Sequence, residues 1–231
     1  MKPSPLAPIR FIAILGLTFG GAASAWGAVC DGSGLKNRLT ITEEPMTIEF
    51  RHDLDYPAIQ QESGLKPPAG MPAGSFVGGF TRTQVATQFK LESRSSPLRD
   101  GRMCFGVHAE LRILQPKAIV FLPSSEPKDG CRYQITYAHE MQHVSIFQRG
   151  IRHSVRGEGL LMQQAFASSP AMVFNNQADA EAYFKKMMDV MQRRFQRSLD
   201  QSKIAQARID TVENYLHEGE KVMACEMRRR Q

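Results

Sequence analysis

Within this 231-residue chain the run His139-Glu140-Met141-Gln142-His143 is the group of residue types and spacings with the clearest chemical capability. On a helix, residues four apart share a face, so His139 and His143 can offer two imidazoles to one metal ion. Glu140 lies about 100° round the same helix, where a carboxylate can take a proton from a water activated by that ion. The ion such a His pair and base would serve is Zn2+, and the chemistry is hydrolysis of a polar bond. The other histidines at 52, 108 and 217 have no such companions and read as surface or hydrogen-bonded residues.

The elements around the motif must hold it rigidly. Ile135, Ala138, Val144 and Phe147 fall near helical spacing, so a helix is expected over Tyr133–Arg149, with Gly150 placed to end it. Before it, short apolar runs at Leu39–Thr42, Met46–Arg51 and Val85–Leu91 read as strands, the last with Val85, Phe89 and Leu91 on one face. Val107–Leu114 alternates apolar with polar residues and Lys117–Leu122 is nearly all apolar, which predicts a half-exposed strand beside a buried one. The Gly- and Pro-dense stretch from Gly64 to Gly79 supplies turns and a surface loop. After the motif, an amphipathic helix from Gln177 carries Ala180, Phe184, Met187, Met188, Met191, Phe195 and Leu199 as one stripe, a core face in which Met fills irregular gaps. A last helix is expected over Ile204–Met227. The fold class is α+β: a small antiparallel or mixed sheet, then the motif helix, then long C-terminal helices.

Lys2 and Arg10 precede an apolar run from Phe11 to Phe19 and small residues ending at Ala23-Ser24-Ala25, the layout of a secretory leader over residues 1–25. Residues 26–231 then form one domain, β-rich over 36–123 and α-rich over 132–228, placed in a bacterial periplasm or outside the cell. Contact with a membrane is expected only if the leader stays attached. Loss of Lys2 and Arg10 lowers the formal charge from +6 to +4, and the remaining Arg residues lack the aromatic interleaving of nucleic-acid binders, so no nucleic-acid partner is expected. Cys30, Cys104, Cys131 and Cys225 are even in number in an exported chain, which predicts two disulfides. Of the three pairings, the reading favours Cys104 with Cys131 and Cys30 with Cys225.

Strands, then an HExxH helix, then a further helix, resemble the zincin metallopeptidases. Cys104 through Pro123, running into Tyr137-Ala138-His139-Glu140-Met141-Gln142-His143, is similar to a bacterial family of predicted secreted zinc-dependent proteases. The resemblance implies a zincin-like fold and a peptide or protein substrate, cleaved through a metal-activated water with Glu140 as general base. It also implies a third protein ligand. Arg149 stands where the metzincin pattern needs its third His, while the gluzincin pattern takes a Glu from a later helix. Glu181, 38 residues after His143 and at the edge of the Phe184/Met188 stripe, is the expected ligand; Glu158, Asp179 and His153 are the alternatives. Tyr183, Tyr215 and His217 are candidate proton donors or oxyanion stabilisers, and Val107–Leu114 is a candidate edge for aligning an extended substrate. The alternative function is a zincin-like metal- or protein-binding envelope protein without turnover.

Overall fold

The computed structural model describes residues 30, 34–67, 69–72, 75 and 77–231, so the leader expected over 1–25 lies outside the described residues. The chain is α+β, with a mixed sheet organised around one long strand. That strand, β4 (Met103–Pro123), pairs antiparallel with β3 (Phe80–Pro97) along almost its whole length. Along β4 run β5 (Met172–Phe174), antiparallel, and β1 (Arg38–Glu43) and β2 (Thr47–Leu54), both parallel.

The two strands expected at Val107–Leu114 and Lys117–Leu122 are therefore one. What separates their patterns is a bulge: β3 loses register between Gln84 and Ala86, and opposite that point Gln115 has φ 45°. The extra residue shifts the side-chain phase. Val107, Ala109, Leu111 and Ile113 are buried before it, and Ala118, Val120 and Leu122 after it, so both halves turn an apolar row to the helices. The second half is buried on its other face too, where Phe121 stacks on Phe80 at 4.2 Å and both pack on Ile59 of α1 (Tyr56–Ser63). Since β4 is paired along both edges at Val107–Leu114, that segment has no open edge for a substrate, and the expectation of one is withdrawn.

Helix α2 (Cys131–His153) carries the motif. It does not stop at Gly150 but passes through a π-helical turn (Ser154–Gly159) into α3 (Leu160–Ser168). Gly150 serves a different purpose from a C-cap: a Cβ there would stand 2.7 Å from Ser202 Cβ, so the missing side chain lets α4 (Gln177–Ala207) approach α2. The α4 stripe is core as expected, with Ala180, Phe184, Met191, Phe195 and Leu199 buried against Leu111, Phe147 and Ile151. The helix expected over Ile204–Met227 is broken at 208–211, and α5 (Val212–Arg229) starts afresh with Thr211 as N-cap, its Oγ1 accepting from Asn214 N at 3.3 Å. Asn214 Nδ2 also donates to the carbonyls of Arg208 and Ile209, which closes the corner.

Two disulfides are present, as expected, but paired differently: Cys30 with Cys104 and Cys131 with Cys225. The first ties Cys30 to β4, and the second joins the start of α2 to the far part of α5. Among the described residues no helix is long and apolar enough to cross a membrane.

Candidate metal centre

On α2 the row Glu140, Val144, Phe147 and Ile151 faces the sheet, and His139 and His143 occupy the adjoining row. Glu140 is thus a carboxylate set into an otherwise apolar stripe, 2 % exposed. Thr81 meets it there. The residue lies opposite Val120 in the β3–β4 pair and shares its face, and its hydroxyl donates to Glu140 Oε2 at 2.8 Å. Gly79 closes the same wall, since a Cβ there would stand 2.9 Å from the Phe121 carbonyl and 3.2 Å from Glu140 Oε1. Burial raises the Glu140 carboxyl to about 7 against the pull of both nearby imidazoles.

Both histidines are buried and converge on Asp210, in the corner between α4 and α5. Asp210 Oδ1 is 3.2 Å from His139 Nε2 and 3.1 Å from His143 Nε2, and the two Nε2 atoms are 3.2 Å apart. The remaining ring nitrogens are engaged elsewhere: His139 Nδ1 with Glu218 Oε1 at 2.8 Å, and His143 Nδ1 with Gln206 Oε1. Tyr215 stacks on His139 at 5.3 Å and its hydroxyl donates to Asp210 Oδ1 at 2.8 Å. Burial opposes charge on His139, but Asp210 and Glu218 outweigh it and raise the imidazole to about 10; Asp210 and Glu140 likewise raise His143. Burial works against the Asp210 carboxylate, yet its histidine partners hold it well below the usual range, while burial and the Asp210 charge raise the Tyr215 phenol.

The donor set fits a metal ion. Three acceptor atoms, two imidazole nitrogens and one carboxylate oxygen, crowd within 3.2 Å of one another, an arrangement that repels unless a cation or a proton sits among them. Corners of a tetrahedron around an ion bound at about 2.0–2.1 Å lie about 3.3 Å apart, close to these separations. His139, His143 and Asp210 form the group of three metal-ligating side chains found among the described residues. The Asp210 side chain is 38 % exposed, so the group lies at the surface rather than sealed in the core.

The structure brings His139, Glu140 and His143 together, and it does not bring Glu181 to them. Glu181 is in the first turns of α4, exposed, accepting from Gln177 Nε2 at 2.7 Å. The third donor is Asp210, from the opposite end of that helix. The alternatives are displaced as well: Glu158 pairs with Arg194, Asp179 is an exposed first-turn residue whose amide is capped by Asn176, and His153 is exposed at the end of α2. Of the candidate proton donors, Tyr215 reaches the site, Tyr183 packs among Phe174 and Phe184, and His217 is exposed beside Glu220. Asp210, Gln206 and Glu218 were missed because the sequence reads as unbroken helix there. The available signal was Asp210-Thr211, two N-cap residue types in succession with Glu213 in the following turn. No family model, curated protein or solved structure matches the chain.

Proposed function

We propose that this chain is an exported zinc-dependent peptide hydrolase of the zincin type, with His139, His143 and Asp210 as metal ligands and Glu140 as general base. The observation that carries the reading is the meeting of two Nε2 atoms and one carboxylate oxygen within 3.2 Å, on the helix that also buries Glu140. Three protein donors leave a tetrahedral ion one position for a reactant, the arrangement of catalytic rather than structural zinc. Zinc in such a site supplies Lewis acidity, polarising a carbonyl and lowering the pKa of water. Glu140 takes the proton of the attacking water at Oε1, the oxygen Thr81 does not hold, and passes it to the leaving amine. Thr81 keeps the carboxylate in place through that transfer. The disulfides support an exported setting, where oxidised cysteines persist.

The test is zinc content of the chain purified without a chelating resin, followed by cleavage of a denatured protein substrate. About one zinc per chain is expected, with affinity reduced at least about 100-fold in Asp210→Ala and unchanged in Glu181→Ala. Glu140→Gln should keep the zinc and lose cleavage by about 100- to 10,000-fold. Zinc bound without any cleavage by the unaltered chain identifies a metal-binding protein without turnover, and absence of zinc after reconstitution defeats the reading altogether.

A further inference from the structure

Two hydrogen bonds at the centre take no part in the proton transfer described above, yet they decide which ring nitrogen of each histidine faces Asp210. We propose that Gln206 and Glu218 are positioning residues that hold His143 and His139 as Nδ1–H tautomers and so commit both to binding metal through Nε2. The inference rests on the zinc reading and assigns to it a second layer of residues.

The tautomer of His143 follows from donor and acceptor logic. Gln206 Nε2 lies 3.1 Å from the His143 carbonyl oxygen, which can only accept, so the Gln206 amide must turn its NH2 there. Its oxygen then faces His143 Nδ1, and an amide oxygen also only accepts, so Nδ1 carries the hydrogen. For His139 the partner is the Glu218 carboxylate, an acceptor at 2.8 Å from Nδ1. Nε2 of each ring is thereby left facing the Asp210 oxygen, as the nitrogen whose proton a metal ion would replace. Gln206 belongs to the last turn of α4 and Glu218 to α5, so the corner carrying Asp210 also delivers an orienting group from each side. The two partners differ in charge. Glu218 raises the basicity of His139 as well as orienting it, whereas Gln206 only orients.

The experiment measures zinc affinity by chelator competition and the metal-bound ring nitrogen by long-range 1H–15N NMR. Glu218→Ala and Gln206→Leu should each weaken binding by about 10- to 100-fold, with Glu218→Gln losing less because an amide oxygen still accepts from Nδ1. Glu220→Ala, on the exposed side of α5, should leave affinity unchanged. The spectrum of the unaltered chain should show zinc on Nε2 of both histidines. Zinc on Nδ1 in that spectrum, or unaltered affinity in both Glu218→Ala and Gln206→Leu, overturns the proposal while leaving the zinc reading intact. A chain that takes up no zinc at all defeats the zinc reading first, so the two failures are told apart.

Discussion

At His139 the carboxylates of Asp210 and Glu218 raise the imidazole to about 10 despite burial, which favours a proton on the ring. The same carboxylates attract a metal ion, so proton and ion compete for one place. The sign follows: below the raised pKa the site is protonated, zinc must displace at least one proton, and rising pH removes the competitor. Zinc affinity should therefore increase between pH 6 and 8 by roughly tenfold per pH unit for each proton released. Chelator competition at three pH values checks this, and a flat profile would show that no ligand proton is displaced.

At the scale of elements, the centre depends on how closely α4 lies against α2. Gly150 makes that approach possible, and the last turns of α4 lead directly to Gln206 and the Asp210 corner. Gly150→Ala puts a Cβ 2.7 Å from that of Ser202, where the nearest atoms are on a short side chain and its backbone. Overpacking of this kind costs about 1–3 kcal/mol. The variant should lower the urea midpoint and weaken zinc binding together, because the same displacement moves Gln206 and Asp210 away from the histidines. Gly219 on α5 is the contrasting position, since a Cβ there meets nothing within 4 Å. Gly219→Ala should stabilise by about 0.5–1 kcal/mol through helix propensity and leave zinc affinity alone. Equal zinc affinity in Gly150→Ala and the unaltered chain would remove the link between helix approach and site.

For the molecule as a whole, α5 is the least buried of the elements that serve the site. None of its side chains is buried, and Leu216, Met223 and Met227 are each at least half exposed. What fastens it is polar and covalent: Glu218 on His139, Tyr215 on Asp210, Arg229 on Asp129, and the Cys131–Cys225 disulfide. A metal ion held at this corner would favour the docked helix as the disulfide does, and linkage would make the effect mutual. Breaking the disulfide, by reduction or in Cys131→Ser/Cys225→Ser, should weaken zinc binding by about 5- to 150-fold. Zinc should in turn slow reduction of this bond but not of Cys30–Cys104, as read by alkylation and mass spectrometry. Identical zinc affinity in oxidised and reduced chains would uncouple the two.

The sequence by itself determined the local features. Side-chain periodicity marked β1, β2, the α4 stripe and the helix under His139 and His143, because period and burial are properties of neighbouring residues. Spacing alone put the two imidazoles on one face. Periodicity also misled where one extra residue changed its phase, making β4 read as two strands across Gln115. Only the tertiary structure decided what comes from far along the chain. Asp210 lies 67 residues from His143, in a four-residue interruption of what reads as helix, and it reaches the histidines because α4 folds back along α2. Glu181 satisfied the expected spacing but begins the helix that Asp210 follows, and the helix from Glu181 to Ala207, about 26 residues rising 1.5 Å each, separates the two by roughly 40 Å. Disulfide partners are fixed in the same way, by which backbones the packed helices and sheet bring within reach.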